Sequence, residues 1–351
     1  MFCEKIVSLQ IVVFSIVLYE NKIKKMKKIL GMGNALVDIL IRIENDDFLK
    51  SQNLPKGSMQ LIDAQTAATL AEATNTLNRT FASGGSAANT IFALARLGVE
   101  TAFIGKVSDD EYGNAFSSDI LKYQVYPKLI VDKTGKMSGF CTALISPDGE
   151  RTMATYLGVA SELNVEDISD KIFKGYDIFH IEGYLLQNHD LIEKAIVTAK
   201  KHGLEVSLDL ASYNIVEENR EFLHKIIENH VDIVFANEEE AVAFSQKSIE
   251  DSLLYIAEKA EISVVKVGSK GSFVMKNGQK EDILPFSANC IDTTGAGDLY
   301  ASGFLYGYVK GYDLQRCGKI GSYLAAQIVE EIGPKFPAEK WDKILKDITL
   351  I

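Results

Sequence analysis

The sequence predicts an α/β protein with a mostly parallel central sheet and a second, smaller β-sheet. From residue 178 to residue 267, short apolar stretches typical of strands alternate with stretches typical of helices. Nearer the N-terminus, two segments instead join strand-like pieces through polar turns. Alternation of strand and helix implies right-handed crossovers between parallel strands, so ligands are expected beyond the carboxyl ends of those strands.

The composition is that of a globular protein with a sizeable core, and it excludes some partners. The 351 residues are 47% hydrophobic and 24% charged, which suits one large α/β domain or two ordinary ones. The net charge of −11 argues against nucleic-acid or anionic-membrane partners. The four cysteines and five histidines have no metal-ligand spacing. We therefore expect a cytoplasmic protein with reduced thiols, in which any metal is a hard cation on oxygen ligands.

Residues 1–25 differ from the rest of the chain. The stretch from Ile6 to Tyr19 is almost wholly apolar but short for a membrane-spanning helix, and no signal-peptide cleavage pattern follows it. We expect an N-terminal extension over residues 1–25, disordered or arising from a non-native start, and one folded domain over residues 26–351.

The first buried strand is predicted at Lys27–Gly33. Its Gly31-x-Gly33 pattern lacks the third glycine of the dinucleotide-binding fingerprint, which disfavours a dehydrogenase. Two insertions, at about residues 39–62 and 134–157, are predicted to build the small sheet. The second contains Ser146-Pro147-Asp148-Gly149-Glu150, a strong hairpin signal between two strand-like runs.

A first glycine-rich turn is predicted from Phe81 onwards, and its Gly84-Gly85 pair opens a helix that continues to Gly98. Two interpretations remain open at this point. The turn can be purely structural, with Asn89 or a neighbouring serine capping the helix. Alternatively, the small residues allow close approach of the backbone to a ligand.

The α/β region supplies the central sheet. Its predicted strands are Ile178–Ile181, Glu205–Leu210, Ile233–Ala236 and Ile262–Val267. Its predicted helices are Asp190–His202, Arg220–Glu228 and Ile249–Lys259. Because parallel strands share one carboxyl edge, the polar or glycine residues that follow strands are expected there together: Asp38, Asn237, Gly268 and Asp298.

Two motifs at this edge have structural and functional interpretations. Asn237 followed three residues later by Glu240 is a capping box, or it organises water and Mg²⁺ around a phosphate. The Gly268–Gly271 turn is a simple hairpin, or it lies beside a bound nucleotide.

A second glycine-rich stretch, Asp292–Asp298, opens another helix with Gly295-Ala296-Gly297. Free N–H groups and the helix dipole make this an anion site. An aspartate beside it either complements the helix dipole or takes a proton from a hydroxyl that attacks a bound phosphate.

Together these residues resemble the ribokinase-type (PfkB) family of carbohydrate and nucleoside kinases, from Lys27 to the C-terminus. The Gly84–Asn89 stretch resembles its N-terminal signature, and the Asp292–Asp298 stretch closely resembles its C-terminal signature. The resemblance implies a ribokinase-like three-layer fold in which the small β-sheet is a lid over the substrate.

The resemblance also implies roles for individual residues. Asp298 would be the catalytic base, and the anion hole would be formed by the N–H groups of Gly295, Ala296 and Gly297. Asp38 would accept hydrogen bonds from sugar hydroxyls. The same pocket would be lined by Asn34, Gly84, Gly85, Asn89 and Arg151. ATP and Mg²⁺ would be served by Asn237, Glu240, Gly268 and Gly271. Asp292 would help to bind a monovalent cation such as K⁺.

Within the family, the stretch Gly33–Asp38 and Arg151 most resemble the adenosine kinase branch. The expected reaction is transfer of the ATP γ-phosphate to a primary hydroxyl, foremost the 5′-OH of adenosine.

A kinase for ribose, fructose or a related sugar is the alternative. A non-catalytic nucleotide- or sugar-binding module is a third hypothesis, which the intact Asp298 disfavours. The expected partners are ATP and a small acceptor, on a monomer or homodimer.

Overall fold

The protein is described from a computed structural model over residues 26–351, and it has the predicted α/β architecture with a second, smaller sheet. The strands are β1 (Ile29–Met32), β2 (Leu36–Arg42), β3 (Met59–Leu61), β4 (Arg79–Gly84), β5 (Thr101–Ser108), β6 (Tyr126–Asp132), β7 (Gly139–Ile145), β8 (Arg151–Tyr156), β9 (Ile178–Glu182), β10 (Glu205–Asp209), β11 (Ile233–Asn237), β12 (Ile262–Lys266), β13 (Ser272–Lys276) and β14 (Gln279–Ile283). The α-helices are α1 (Asp47–Ser51), α2 (Ala64–Ala73), α3 (Ser86–Arg96), α4 (Glu111–Lys122), α5 (His189–Lys201), α6 (Tyr213–Glu218), α7 (Arg220–His230), α8 (Glu238–Ser245), α9 (Ile249–Ala257), α10 (Ala296–Lys310), α11 (Leu314–Ile328) and α12 (Lys340–Asp347).

The large sheet has nine strands in the order β14-β13-β12-β11-β10-β9-β1-β5-β6. The strands from β12 to β6 run parallel, and β13 and β14 continue the sheet as antiparallel strands. The central strands are buried, because helices cover both faces of a parallel sheet. The predicted strands of the α/β region are all present within one residue at each end.

The second sheet has five strands in the order β3-β8-β7-β2-β4. It draws on one more stretch than the two insertions predicted, because Arg79–Gly84 is a strand and not part of a turn. The prediction of a turn from Phe81 onwards was therefore wrong up to Gly84. Gly84 can pair with β2 because it has no side chain: a Cβ there would lie 2.6 Å from both carboxylate oxygens of Asp38. The turn itself is made by Gly85.

The predicted extension over residues 1–25 lies outside the described residues. Within residues 26–351, every helix is too short or too polar to cross a membrane.

Helix α10 is buried along most of its length and is held close to α11 by facing glycines. A Cβ built on Gly303 would lie 2.8 Å from the Cα and backbone N of Gly321, and one built on Gly307 would lie 3.0 Å from the Cα of Cys317. The two helix backbones therefore approach each other directly. This contact anchors the helix whose first turn is the Gly295–Gly297 motif.

We expect Gly303→Ala to lower the free energy of unfolding by about 1–3 kcal/mol, because the added methyl group overpacks the contact with Gly321. This loss outweighs the helix-propensity gain of up to about 1 kcal/mol. Urea unfolding measures the change, and Ser118→Ala on the exposed face of α4 is the control, expected to change it by less than about 0.5 kcal/mol. A Gly303→Ala protein as stable as the wild type would contradict this close packing.

Candidate active site

Polar side chains gather where the parallel strands end. Asp209 and Glu182 are neighbours in the strand register at the ends of β10 and β9. Asn237 and Lys266 are likewise neighbours at the ends of β11 and β12. Helices α3 and α10 begin at the same place, as the hydrogen bonds between their first turns show. The crevice beyond this edge is where ligands bind in open α/β sheets.

Within residues 26–351, three N–H groups at the N-terminus of α10, those of Gly295, Gly297 and Asp298, have no acceptor. Gly295 precedes the helix with φ +79°, and a Cβ on it would lie 2.6 Å from the Cβ of Pro334. The N–H of Ala296 donates to the carbonyl of Thr293 at 3.1 Å. No acceptor within residues 26–351 meets the N–H of Gly295 or Gly297. The N–H of Ala296 thus closes the turn before the helix, and an anion hole formed by the N–H groups of Gly295, Ala296 and Gly297 stays a prediction.

Asp298 connects the first turn of α10 with the first turn of α3. Its carboxylate accepts hydrogen bonds from Ser86 Oγ at 2.7 Å and from Asn89 Nδ2 at 2.9 Å. Burial raises the pKa of Asp298 to about 6; these two hydrogen bonds act in the opposite direction, while the charge of Asp209 raises the pKa further. Sequence reasoning missed Ser86, although it lies inside the motif that was singled out.

The carboxylate of Asp38, on β2 of the second sheet, is unpaired among the described residues. No donor within residues 26–351 forms a hydrogen bond with it, and the Cα of Gly84 packs directly against it. The pKa of Asp38 is raised to about 6, because burial disfavours the charged form more than Lys335 and Arg151 favour it. A carboxylate that the protein leaves without donors can accept hydrogen bonds from hydroxyl groups of a ligand.

Glu182 organises the turns around this pocket, and sequence reasoning missed it. It is 1% exposed and accepts hydrogen bonds from the backbone N–H of Asn34 at 2.9 Å, from Asn34 Nδ2 at 2.9 Å and from the backbone N–H of Ala87 at 2.7 Å. Burial raises the pKa of Glu182 to about 7, although the Asn34 and Ala87 hydrogen bonds oppose the shift. Its position directly after the predicted strand Ile178–Ile181 was the available signal.

The turn that follows β4 depends on glycine at position 85. Gly85 has φ +96°, and a Cβ there would lie 2.2 Å from the carbonyl oxygen of Asn34. The two predicted pocket residues Asn34 and Gly85 are therefore in contact. The neighbouring Asn89 uses its amide N–H for Asp298, while its buried Oδ1 has no partner among the described residues.

Asn237 and Glu240 form the capping box. The N–H of Asn237 donates to Glu240 Oε2 at 2.8 Å, its Nδ2 donates to Oε1 at 2.7 Å, and the N–H of Glu240 donates to Asn237 Oδ1 at 2.8 Å. Burial raises the pKa of Glu240 to about 7, with Lys266 opposing and Asp209 adding to the shift. The structural interpretation is therefore present in the geometry, and a role with Mg²⁺ stays a prediction.

The described residues form no protein-only metal cage. Within residues 26–351 there is no group of three or more His, Cys, Asp or Glu side chains arranged to hold a metal ion. The donor set at this edge instead consists of single carboxylates and an amide, which suits Mg²⁺ held mainly by phosphate oxygens and water.

The Gly268–Gly271 turn connects β12 and β13 as a hairpin. Gly268 and Gly271 have φ +55° and +99°, and a Cβ on Gly271 would lie 2.0 Å from the carbonyl oxygen of Ile283. Both glycines are therefore explained by the backbone of the turn. Their position beside a nucleotide stays a prediction.

Arg151 and Asp292 are paired with each other. The guanidinium of Arg151, at the start of β8, forms an ion pair with the carboxylate of Asp292, in the loop before α10. Asp292 also accepts hydrogen bonds from the N–H of Thr294 at 2.9 Å and from the N–H of Gly333 at 2.8 Å. Burial acts to raise the pKa of Asp292, but these contacts outweigh it and the pKa lies below its usual value. Asp292 and Arg151 are therefore partners in this conformation, and roles for Asp292 with a monovalent cation and for Arg151 with a substrate stay predictions.

A family model described as pfkB family carbohydrate kinase matches residues 57–341. The chain belongs to the pfkB family. It is therefore a kinase of the sugar and nucleoside type, a phosphotransferase with an alcohol group as acceptor.

Its relatives within the family differ in their acceptors. An uncharacterized sugar kinase from Archaeoglobus fulgidus is 30% identical over 246 residues, covering 69% of this chain and 96% of the relative. A 5-dehydro-2-deoxygluconokinase from Bacillus subtilis is 29% identical over 263 residues, covering 71% and 81%. The structure of adenosine kinase from Sinorhizobium meliloti aligns with a TM-score of 0.80 and 34% identity, covering 92% of this chain and 99% of that one.

The site as a whole makes a prediction about stability and pH. Asp38 and Asp298 have pKa values raised to about 6, and Glu182 and Glu240 have pKa values raised to about 7. Between the unfolded and the folded pKa of each group, the folded pfkB domain therefore binds a proton that the unfolded chain has released. Each such group lowers stability as pH rises from its unfolded pKa through its folded pKa, by up to about 1.4 kcal/mol per pH unit.

We expect Asp298→Asn, which cannot titrate, to gain stability relative to the wild type as pH rises from about 4 to about 6. Urea unfolding of both proteins at several pH values measures the difference. A difference that does not change with pH would contradict the raised pKa of Asp298.

Proposed function

We propose that this pfkB kinase transfers the γ-phosphate of ATP to the 5′-OH of adenosine. The observation that carries the proposal is the placement of Asp298: its carboxylate stands at the first turn of α10, beside the unoccupied N–H groups of Gly295 and Gly297. A carboxylate next to an anion site is useful when it receives a proton from a hydroxyl that attacks the bound phosphate.

In the proposed reaction the transferred phosphoryl group binds at the N-terminus of α10. The N–H groups of Gly295 and Gly297, together with the helix dipole, stabilise the negative charge there. With a pKa of about 6, Asp298 is mostly ionised at neutral pH and can accept the hydroxyl proton. Ser86 and Asn89 hold its carboxylate in position. Alignment and charge stabilisation account for most of the catalysis, because phosphoryl transfer has a loose transition state.

Mg²⁺ would lie near Glu240 and Asn237. Both oxygens of Glu240 accept hydrogen bonds from Asn237, so we propose that the carboxylate acts on the ion mainly through water. When bound, Mg²⁺ neutralises charge on the ATP phosphates. The charge of Asp292 is already balanced by Arg151, and K⁺ is not part of the proposed reaction.

The charges around the acceptor pocket favour a neutral, hydroxyl-bearing acceptor. Asp38 offers an unpaired carboxylate. The two cations that act on it, Arg151 and Lys335, are each paired with another carboxylate, Asp292 and Asp119. A sugar acid would bring a second negative charge toward Asp38, and the two cations that act on Asp38 are already paired.

The lid favours a nucleoside over a free sugar. Leu40, Ala143 and Met153 lie side by side across β2, β7 and β8, two residues along from Asp38 and on the same face of the sheet. This apolar row next to a hydroxyl-binding carboxylate suits a base attached to a ribose. The 34% identity to the adenosine kinase from Sinorhizobium meliloti supports the same acceptor.

A sugar kinase that acts on ribose, fructose or a related sugar is the second candidate. It is favoured by the names of relatives such as the sugar kinase from Archaeoglobus fulgidus.

A cytoplasmic location is proposed with either acceptor, because the described cysteines form no disulfide and the phosphate donor is ATP.

The experiment that tests the acceptor is ADP formation from Mg-ATP with adenosine, inosine, ribose, fructose and 5-dehydro-2-deoxygluconate offered separately. We expect the highest kcat/KM with adenosine, because the apolar row contributes only when a base is present. A higher kcat/KM with a free sugar or the sugar acid would refute the proposed acceptor while leaving the kinase reaction intact.

We expect Asp298→Asn to keep ligand binding and to lose at least about a hundredfold in kcat, because the acceptor hydroxyl loses its base. Steady-state kinetics and equilibrium binding of ATP measure the two effects. The matched control is Asp251→Asn, since Asp251 occupies the same third position of its helix, α9, but lies exposed on the surface. Near-normal kcat for Asp298→Asn would be incompatible with a catalytic base at this position.

A further inference from the structure

Lys266 is a largely buried lysine among the carboxylates at the strand ends, and it has no part in the reaction proposed above. It ends β12 beside Asn237, the last residue of β11. Its side chain is 15% exposed, and its Nζ lies 3.1 Å from Oδ2 of Asp209, whose side chain is 8% exposed. A largely buried ammonium thus lies at the carboxyl edge of the sheet.

The ammonium also lies against the first turn of α10. A Cβ built on Gly297 would be 3.2 Å from Nζ of Lys266, so glycine leaves room for the ammonium. A positive charge beside the positive end of a helix dipole is unfavourable by itself. Binding of an anion between Lys266 and the Gly297 N–H turns this repulsion into a two-sided attraction.

Lys266 does not use all of its N–H donors in hydrogen bonds with the described residues. An ammonium carries three N–H donors, and within the described part of the chain Asp209 is the only acceptor of a hydrogen bond from Lys266. Burial acts to lower the pKa of Lys266, but Asp209 and Glu240 outweigh it, so the pKa lies above its ordinary value. The side chain is therefore charged at neutral pH.

We propose that Lys266 binds an oxygen of the phosphoryl group that ATP transfers, together with the N–H of Gly297, and that Asp209 positions the ammonium. This assignment rests on the proposed phosphoryl-transfer site. In the reaction the bond between the acceptor oxygen and phosphorus forms, and the bond to the β–γ bridging oxygen breaks. The hydroxyl proton passes to Asp298, and ADP leaves with the bond electrons. Lys266 stabilises the charge on the moving group, as a cation at such a site does.

The purely structural alternative is that Lys266 only neutralises Asp209. The double variant Lys266→Met with Asp209→Asn separates the two, because it removes both charges and leaves no unpaired buried ion. If neutralising Asp209 is the only role of Lys266, the double variant regains the activity that Lys266→Met alone loses. If Lys266 binds phosphate, activity stays low in a folded protein.

A second buried lysine provides a matched control. Lys106 Nζ also lies 3.1 Å from a carboxylate oxygen, that of Asp167, and the two side chains are 10% and 16% exposed. Its other hydrogen bond goes to the carbonyl of Glu162, so it touches none of the proposed site residues. The pair Lys106→Met with Asp167→Asn should leave turnover near that of the wild type.

We expect the Lys266→Met/Asp209→Asn protein to unfold near the wild-type temperature and to lose at least about a hundredfold in kcat/KM for ATP, with the best acceptor present. Binding should lose at least about tenfold more affinity for ATP than for ADP, which lacks the γ-phosphate. Lys266→Arg, which keeps the charge, should retain more activity than Lys266→Met.

Near-normal kcat/KM in the double variant, or equal losses of ATP and ADP affinity, would overturn the role of Lys266 alone. A wild-type protein that neither binds Mg-ATP nor forms ADP with any acceptor would overturn the proposed function and this assignment with it. Wild-type binding of both nucleotides is measured first, so the two failures are distinguishable.

Discussion

One carboxylate holds the two halves of the site together. Asp298 accepts hydrogen bonds from Ser86 and Asn89, so the first turns of α3 and α10, more than two hundred residues apart in the chain, meet at its two oxygens. The close packing of α10 against α11 through Gly303 keeps that first turn in place from behind. The position of Asp298, the proposed base, depends on these contacts, and so does the proposed line from acceptor to phosphate.

The strand ends also concentrate charge. Asp209, Glu182, Glu240 and Asp298 lie at one edge, and three of them have raised pKa values, chiefly because they are buried. Lys266 is the cation set among them. Burial of several carboxylates together destabilises the folded protein, and such groups are concentrated at functional sites, as expected for the site proposed to bind ATP and Mg²⁺.

An ion pair connects the second sheet to the loop before α10. Arg151 at the start of β8 and Asp292 before α10 form a partly buried ion pair, while Lys335 links Ser83 near the end of β4 to Asp119 in α4. These pairs take up the two cations that act on Asp38, leaving its carboxylate available to a ligand. The specificity proposed for the acceptor pocket follows from this pairing as much as from Asp38 itself.

Local patterns in the sequence determined the fold class, the strands of the central sheet and the glycine-rich start of α10, because periodicity, turn residues and helix-start chemistry act over a few neighbouring residues. They also singled out Asp298 and Asp38. Only the tertiary structure decided which residues meet: Glu182 beneath Asn34 and Ala87, Arg151 on Asp292, and Lys266 beside Gly297. It also made Arg79–Gly84 a strand, since Gly84 pairs with a distant β2. Contacts between residues far apart in the chain leave no local pattern, and burial, which sets the pKa values of the site, exists only once the chain has folded.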